Sequence, residues 1–485
     1  MNENYFKDLF VNVDKNIKLD TDQINIVKDN SNVLMVVAGA GSGKTTTITA
    51  KVKYLVEIKK ISPKEILVIS YTNKAVNELS DYINDKFNLD IHICTFHKFA
   101  YDILKEISNI KLINNKDKII KKIVLSYNDK QNLNKLWKEY KKSPAFQKNI
   151  SFSNYLVQLA IENLNLFKAY NINLSKIKIQ RFRNIMKFLK WVNVKYSEYC
   201  EINNLCDFDD LIIKAEEMLR LNKVNLNYKY IIIDEYQDIS LIRLNLVKQA
   251  AKKSKIVVVG DDWQSIYSFS GSNINLFYDF QKDMNAKTLI IKNTYRNSQK
   301  LIDIAGAFVM KDKHLIEKRL SSFKYNDNPL ILVYYKNFVD TLEKVIHRII
   351  NEYGIKTKIL ILGRYNKDIE IIKSYKFKIN KSKITYIYNR KIDITFMTIH
   401  ASKGLGYDNV ILINLSKGEY GFPSKTKIDK FKQYYFNFGN NIPEERRVFY
   451  VALTRTKNQV YFLVDKKNES CFIKEIKKEV KQLKI

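Results

Sequence analysis

The sequence predicts an α/β fold with two doubly wound, mainly parallel sheets and a helical insertion in the first domain. Strand-like apolar runs recur along the chain, each is followed by a polar loop and a helical pattern, and a phosphate-binding loop follows the first run. Continuous Val, Ile and Leu runs of this length are typical of parallel strands buried on both faces. Because they occur in both halves of the chain, we expect two such domains. The runs are NVLMVVAG (32–39), EILVISYT (65–72), YKYIIIDEY (228–236), KIVVVGDD (255–262), KILILGRY (358–365) and NVILINL (409–415).

The stretches between these runs indicate the domain boundaries. Residues 101–206 are rich in Lys, Asn and Leu, show helical periodicity and contain no clear buried strand. We therefore predict a first α/β domain from residues 1–100 and 207–298, with 101–206 as its helical insertion. Residues 299–485 are expected to form the second domain, and its tail KEIKKEVKQLKI (474–485) to form a basic amphipathic helix.

The charge balance indicates a polyanionic partner. The chain has 83 Lys plus Arg against 51 Asp plus Glu, a net charge of +32. Biased codon usage explains many lysines but not the shortage of compensating acids. Nucleic acid is favoured over a membrane surface, because no amphipathic anchor is evident.

Other features exclude several classes of protein. Apolar residues make up 46% of the chain, which is typical of a globular protein. No run of about 18 uncharged apolar residues is present, and MNENYFKDLF lacks the pattern of a secretory signal, so no membrane association is expected. Cys94, Cys200, Cys206 and Cys471 fit no common zinc spacing, and we interpret them as reduced thiols of a cytoplasmic protein.

The segment AGAGSGKTTT (38–47) is a P-loop with Ala38 where the usual pattern has its first Gly. It lies between an apolar run and a helical pattern, so the helix N-terminus and the backbone N–H groups should face phosphates. Lys44 would reach the β- and γ-phosphates, and Thr45 would ligate Mg²⁺. The predicted nucleotide-binding residues here are Ala38, Gly39, Ala40, Gly41, Ser42, Gly43, Lys44, Thr45 and Thr46.

A nucleoside triphosphatase of this type needs a second acidic strand end, and YIIIDEYQD (230–238) supplies one. We predict that Asp234 holds Mg²⁺, directly or through water, and that Glu235 activates the attacking water. Carboxylates at the tip of a buried strand are costly without a cation. An exposed acidic loop is the alternative.

Together these motifs resemble those of the superfamily 1 DNA helicases of the UvrD/Rep/PcrA type. Within that family, they resemble the motifs of the helicase IV group. The resemblance covers nearly the whole chain, and the motifs occur in the family order. They are LDTDQ (19–23), AGAGSGKT, SYTNKAVNEL (70–79), CTFHKFA (94–100), FDDL (208–211), DEYQD, GDDWQSIYSFSG, NTYRN (293–297), LGRYN (362–366), MTIHASKGL (397–405) and EERRVFYVALTRTK (444–457).

The resemblance implies two RecA-like motor domains with a nucleotide between them. Gln23 would recognise the adenine edge, Tyr295 would stack on the base, and Gln264 would sense the γ-phosphate. Arg296 and Arg455 would reach the γ-phosphate as arginine fingers supplied within the chain, although a surface salt bridge and a helix-capping charge are their alternatives. Lys403 and Gly404 are also implied at the nucleotide.

The resemblance also implies contacts to single-stranded DNA. Aromatic rings stack on bases of any sequence, and small polar side chains hold backbone phosphates. For Tyr71 and Phe96, ordinary core packing is the alternative. The implied stacking residues are Tyr71, Phe96, His97, Tyr267, Phe269 and His400, and the implied phosphate contacts are Thr72, Asn73 and Thr95.

Three departures from the family pattern are visible. Gly406 stands where relatives have Glu, and Thr46 stands where many have Arg. Both changes weaken the ribose and base side, so modest discrimination among triphosphates is expected. Only about a hundred residues separate Arg296 from Met397, so the large regulatory 2B subdomain of UvrD and Rep is expected to be absent or vestigial.

The resemblance implies an ATP- and Mg²⁺-dependent helicase that moves 3′-to-5′ on single-stranded DNA and acts on tailed duplex DNA. A second hypothesis is a DNA-sensing ATPase switch, with a partner protein that supplies duplex contacts or nuclease activity. The tail contains no Asp…Glu-x-Lys nuclease constellation of its own. An RNA motor also stays open, because a basic groove with aromatic platforms does not by itself distinguish RNA from DNA.

Overall fold

The N-terminal part of the chain forms the first strands of a parallel sheet and the helices that cover it. The computed structural model describes residues 3–105, 107, 110–179, 181–425, 430–439 and 442–484. Asp20 and Gln23 form a reciprocal capping box that fixes the start of the second helix. The elements are α1 (Glu3–Asp8), α2 (Thr21–Lys28), β1 (Val33–Ala38), α3 (Lys44–Glu57), β2 (Ile66–Ser70), α4 (Asn73–Ser80), β3 (His92–Thr95) and α5 (Phe96–Lys105).

A helical segment then interrupts this sheet. Its entry and exit are joined by two short strands, β4 and β5, that pair in parallel. Its helices pack around an apolar core that includes Leu136, Phe167 and Phe188, and Phe431 and Phe436 from the second half of the chain also belong to this core. The elements are β4 (Lys111–Leu112), α6 (Lys116–Leu125), α7 (Lys130–Lys141), α8 (Pro144–Gln147), α9 (Phe152–Ala169), α10 (Arg183–Ile202) and β5 (Leu205–Cys206).

The chain returns to complete the first sheet, in which every neighbouring pair of strands is parallel. The strand order is β3-β2-β6-β7-β1-β8. The loops that follow β1, β2, β6 and β7 therefore meet at one edge, which brings the P-loop and the predicted acidic residues together. The added elements are α11 (Phe208–Arg220), β6 (Tyr230–Ile233), α12 (Leu241–Ala250), β7 (Lys255–Gly260), α13 (Asn275–Asp283) and β8 (Lys287–Ile291).

A second, eight-stranded sheet follows in the order β11-β12-β13-β10-β14-β15-β9-β16. Only the β11–β12 and β12–β13 pairs are antiparallel. Its elements are α14 (Gln299–Val309), β9 (Leu330–Tyr335), α15 (Phe338–Tyr353), β10 (Lys358–Gly363), β11 (Phe377–Asn380), β12 (Lys383–Tyr386), β13 (Asp393–Thr398), β14 (Tyr407–Leu412), α16 (Lys430–Phe436), α17 (Ile442–Leu453), β15 (Thr456–Asp465), α18 (Cys471–Ile476) and β16 (Lys481–Leu483).

The predicted fold class, α/β with two mainly parallel sheets, is confirmed. The prediction of a helix throughout the tail is wrong, because α18 ends at Ile476 and β16 follows it. β16 pairs with β9, so tertiary hydrogen bonding to an otherwise open sheet edge overrides the helical pattern. Among the helices described, none is long and apolar enough to cross a membrane.

Candidate nucleotide and nucleic-acid site

The P-loop has the shape that presents backbone N–H groups to a phosphate. Gly41 and Gly43 have positive φ angles of 72° and 78°, which glycine adopts without strain. α3 begins at Lys44, and within the described segment 38–57 no side chain caps its N-terminus. A bound phosphate would satisfy these N–H groups and interact favourably with the helix dipole. A Cβ atom at Gly41 would also lie 2.5 Å from the Cβ of Arg296, so only glycine fits between the loop and that residue.

A buried group of charges lies beside the P-loop. Lys44 Nζ is 3.3 Å from Glu235 Oε1. Burial raises the pKa of Asp234, and the charge of Glu235 raises it further. Burial also opposes ionisation of Glu235, but Lys44 and Lys403 outweigh this effect and lower its pKa. Glu235 is therefore held as a carboxylate, as a general base requires. Its left-handed φ of 53° is uncommon for a non-glycine residue and is typical of functional sites.

The residues present fit a magnesium ion bound with a triphosphate. Asp234 Oδ1 is buried and has no hydrogen-bond partner among the described residues. Such an orphaned carboxylate oxygen is costly, and a cation would satisfy it. Thr45 lies in the first turn of α3 and is the predicted second ligand of the ion.

Gln264 connects the two sheets through its side chain. Its Nε2 donates to Asp261 Oδ2 at 2.6 Å, and its Oε1 accepts from Arg455 Nη2 at 3.0 Å. Arg455 is fully buried and also donates to the carbonyl oxygens of Val451 and Leu405. Burial, reinforced by the nearby Arg296 charge, lowers the pKa of Arg455 to about 9. A buried guanidinium with like charge beside it is well prepared to bind an anion.

Arg296 lies between the P-loop and the second sheet. Its Nη1 donates to the carbonyl of Thr454 at 3.4 Å. A Cβ atom at Gly406 would be 3.1 Å from Arg296 Nε, so glycine at this position lets the guanidinium lie close to the backbone. Burial lowers the pKa of Arg296. Gly404 has a φ of 81° in the same loop and has open space beside it.

The base side of the site is held by a small polar network. Gln23 is buried and donates from Nε2 to the carbonyl of Ser42 at 3.1 Å. Tyr295 is 41% exposed, and its hydroxyl donates to Asp20 Oδ2 at 2.8 Å. Thr46 follows in the first turn of α3, and it brings no cation to this side.

Hydrolysis of ATP and dATP is expected to give kcat/KM values within about threefold of each other. A single hydrogen bond to a ribose hydroxyl is worth about 1 kcal/mol. Gly406 has no side chain that could make this bond, so little preference for ATP is expected. Steady-state hydrolysis with each nucleotide measures this. A preference for ATP of more than about tenfold would contradict the prediction.

Three aromatic side chains form a platform next to the Gln264 network, and we call Tyr267, Phe269 and His400 the aromatic triad. Phe269 is 63% exposed, and its ring lies 5.6 Å from that of His400. Tyr267 lies 6.0 Å from Phe269 and donates from its hydroxyl to the carbonyl of His400 at 3.1 Å. The triad therefore joins a segment after β7 with a segment after β13.

Lys403 connects the aromatic triad with the buried acids. It forms an ion pair with Asp238, lies 3.8 Å from Glu235 Oε2 and sits 5.0 Å from the Tyr267 ring centroid. Burial raises the pKa of Asp238 to about 6, against the lowering effect of Lys403. The structure places Lys403 between the buried acids and the triad, 3.8 Å from Glu235 Oε2, and its predicted contact with the nucleotide stays a prediction.

The other side chains predicted to contact single-stranded DNA lie either in the core or around the starts of α4 and α5. Phe96 is only 2% exposed and packs in the core, and its ring centroid lies 5.2 Å from that of Tyr71. These positions correspond to core packing, which was the alternative to base stacking. Thr72 and Thr95 accept from backbone N–H groups at the starts of α4 and α5. Asn73 is exposed in the first turn of α4. His97 is partly buried, 5.1 Å from the Phe208 ring.

Two histidines should make stability sensitive to mild acid. Burial, together with nearby cations, lowers the pKa of His400 to about 3 and that of His97 to about 4. Since these folded values lie below the unfolded value of 6.5, their contribution to stability is present above pH 6.5 and is lost as the pH falls.

For His400→Gln, the decrease in the free energy of unfolding between pH 7 and pH 5 should be smaller than in the wild type by on the order of 2 kcal/mol. Urea unfolding at both pH values measures this difference. An equal decrease in the variant would show that His400 becomes protonated in the folded protein.

Sequence reasoning did not identify the partners of Asp261 and Asp262, which lie in residues 260–262, here called the GDD segment. Lys318 lies in no motif, yet its ammonium group contacts both Asp261 and Asp262, and all three side chains are fully buried. The signal that could have revealed such a partner is the acidic pair itself, because two buried carboxylates require a cation. Nothing in the sequence around Lys318 distinguishes it from the many other basic residues.

Comparisons with known proteins identify the family of this chain. Residues 19–285 match the UvrD/REP helicase N-terminal domain, and residues 211–464 match the viral superfamily 1 RNA helicase core domain. The chain is 25% identical to DNA helicase IV of Escherichia coli (strain K12), over 97% of this chain and 72% of that protein. It is 31% identical to the ATP-dependent DNA helicase Rep of Buchnera aphidicola subsp. Baizongia pistaciae, over 71% of this chain and 52% of Rep.

A further relative is a probable DNA helicase of Mycoplasma pneumoniae, which is 28% identical over 93% of this chain and 84% of its own length. This chain therefore spans about half of Rep and most of the two other relatives. The first family match alone covers more than half of the chain and includes the P-loop, the acidic strand end and the GDD segment. The chain belongs to the UvrD/Rep family of superfamily 1 DNA helicases.

Proposed function

We propose that this protein is an ATP-driven motor that moves 3′-to-5′ on single-stranded DNA and separates tailed duplexes. Its substrate for hydrolysis is Mg²⁺-bound ATP. The observation that carries the proposal is one buried network that ends beside the aromatic triad. Lys44 pairs with Glu235, and Arg455 donates to Gln264, which donates to Asp261. Gln237 joins the two parts, because its amide donates to Glu235 and its amide oxygen accepts from the Asp261 N–H. Both sheets contribute to this network. The direction of movement rests on the family resemblance.

Each charged residue then has a defined part in hydrolysis. The P-loop and Lys44 hold the phosphates, and Glu235 orients the attacking water and accepts its proton. Arg296 and Arg455 stabilise the charge that develops on the transferred phosphoryl group. Mg²⁺ would neutralise phosphate oxygens while Thr45 and Asp234 hold it in place.

The same network offers a route from ATP to DNA. Gln264 lies three residues before Tyr267 on one segment. That segment is tied to α17, because Ser268 donates to Glu444 and Arg447 donates to the carbonyl of Ser265 at 2.6 Å. A change at the γ-phosphate that moves Arg455 and α17 would therefore also move the aromatic triad. Coupled movement of this kind is what stepping along a strand requires.

Two matched duplexes test the proposal, one with a 3′ single-stranded tail and one with a 5′ tail. Separation of only the 3′-tailed duplex, with ATP and Mg²⁺ present, is the expected result. Glu235→Gln should abolish it. Separation of the 5′-tailed duplex alone would contradict the proposed direction, and absence of DNA-stimulated ATPase would contradict the motor itself.

A second candidate function is a DNA-sensing ATPase switch that acts with a partner protein, such as a nuclease. The fully described segment between Arg296 and Met397 contains α14, β9, α15, β10, β11, β12 and most of β13, and it has no separate helical subdomain. DNA-stimulated ATPase without separation of either duplex would favour this function. Equal stimulation by RNA would instead favour an RNA motor.

Phe269→Ala should raise the concentration of single-stranded DNA needed for half-maximal ATPase by about 5- to 150-fold, because base stacking on an aromatic ring is worth about 1–3 kcal/mol. Titration with oligothymidylate measures this effect. Phe323→Ala is a matched control, since Phe323 is also exposed but lies outside the aromatic triad. An unchanged titration for Phe269→Ala would remove Phe269 from the strand-binding surface.

A further inference from the structure

The chain between α14 and β9 lies across the nucleotide edge of the first sheet, and we call residues 312–321 the strap. Ile316 donates its N–H to Asp262 Oδ2 at 2.7 Å and accepts from Trp263 Nε1 at 3.0 Å. Leu320 lies against Gly39 of the P-loop. Ser321 exchanges backbone hydrogen bonds with Lys292 and Thr294. The strap thus contacts both the P-loop and residues 261–263, which follow β7.

Lys318 is the strap residue that enters this edge most deeply. Its Nζ lies 2.5 Å from Asp261 Oδ1 and 2.6 Å from Asp262 Oδ1, and 4.5 Å from the ring centroid of Trp263. The three charged side chains are completely buried. A buried ion group of this kind adds little net stability compared with apolar packing, so its retention favours a role in fixing geometry.

The geometry that Lys318 fixes is that of Gln264. Lys318 binds one oxygen of Asp261, and the other oxygen accepts from the Gln264 amide at 2.6 Å. On its other side, Gln264 accepts from Arg455. A flipped amide would point its oxygen at the carboxylate and its N–H₂ group at the guanidinium, so only the observed orientation satisfies both neighbours. One amide hydrogen is then left free to reach an anion.

We infer that Lys318 is a positioning residue for ATP hydrolysis, which acts through Asp261 to hold Gln264 in its hydrolysis-competent orientation. The strap thereby links the γ-phosphate sensor to the chain that leads into the second sheet. The inference rests on the proposed function. Among the described residues, the other donor to Asp261 Oδ1 is the Trp263 N–H at 3.2 Å. Without the ammonium group, the carboxylate loses its cation and is free to rotate away from the Gln264 amide.

The test compares ATPase kinetics of the full chain and its variants at saturating single-stranded DNA. Lys318→Met alone leaves two buried carboxylates without a cation and could unfold the protein. The main variant is therefore Lys318→Met combined with Asp262→Asn, which keeps the cluster at one negative charge. It should lower kcat by about tenfold to a hundredfold, because a catalytic group misplaced by about 1 Å costs that much. KM for ATP should change by less than about threefold.

The combination of this pair with Gln264→Ala separates positioning from general damage. If Lys318 acts through Gln264, the triple variant should have the same kcat as Gln264→Ala alone, within about twofold. Multiplied losses, or a charge-balanced variant with wild-type kcat, would overturn the inference. Arg319→Met is the matched control, because Arg319 is the next strap residue and its side chain is exposed to solvent.

These outcomes are distinct from failure of the proposed function. A wild-type protein without DNA-stimulated ATPase would contradict the motor. An active wild type whose charge-balanced variant retains kcat would contradict only the role of Lys318. Equal melting temperatures of wild type and variant would show that any loss of kcat does not come from unfolding.

Discussion

Replacement of Glu235 by glutamine is expected to lower the DNA-stimulated rate of ATP hydrolysis by about a hundredfold to ten-thousandfold. The amide cannot accept a proton from water, and it also loses the ionic contacts with Lys44 and Lys403. ATP binding should survive, because the P-loop donors are untouched and one negative charge near the phosphates is removed. Single-turnover hydrolysis and equilibrium binding of ATP measure the two effects separately.

Glu217→Gln is the matched control for this experiment. Glu217 is exposed on α11, where it faces Arg220, and its replacement should leave both quantities unchanged. If Glu235→Gln lost ATP binding together with hydrolysis, Glu235 would be part of the binding site rather than the base. If the variant hydrolysed ATP at the wild-type rate, another group would have to activate the water.

Arg455→Ala is expected to lower kcat by about a thousandfold or more, the usual contribution of an arginine finger. Arg455 is fully buried, donates to Gln264 and brings positive charge from the second sheet to the nucleotide edge of the first. Its removal leaves Gln264 Oε1 without this donor as well. Arg455→Lys should restore little, because a lysine ammonium cannot make the same set of directed contacts to Val451, Leu405 and Gln264.

Rates at saturating ATP and DNA measure this prediction. Lys457→Ala is the control, since Lys457 lies two residues after Arg455, is exposed, and pairs with Asp408. A loss below about tenfold for Arg455→Ala would assign this arginine to the structure of α17 rather than to the transferred phosphate.

Local sequence was sufficient to predict those parts of the protein that are formed by residues close together in the chain. Apolar runs predicted the buried strands, because strands of a parallel sheet are continuously apolar whereas the helices between them have apolar residues at helical spacing. The P-loop could be recognised because glycines, a lysine and a helix start must follow each other closely to hold phosphate. In the structure, Lys44 and Glu235 lie 3.3 Å apart although almost two hundred residues separate them, since both follow strands of the same sheet.

Side-chain exposure was decided by tertiary packing. Phe96 and Phe269 are both aromatic residues in motifs that the resemblance assigns to DNA, yet the first is 2% and the second 63% exposed. The periodicity around Phe96 does not reveal whether its helix face turns toward the core. The tail shows the same limit, because only the open edge of β9 turns residues 481–483 from helix to strand.

The sequence by itself determined the fold class, the family and the identity of the residues at the strand ends, because these depend on local pattern and spacing. Only the tertiary structure decided their partners. Lys318 with Asp261 and Asp262, Lys403 with Asp238, and Arg455 with Gln264 are all distant in sequence and close in space. The physical reason is that buried charges must find opposite charges or hydrogen-bond partners wherever the folded chain provides them, and no local sequence pattern records these partners.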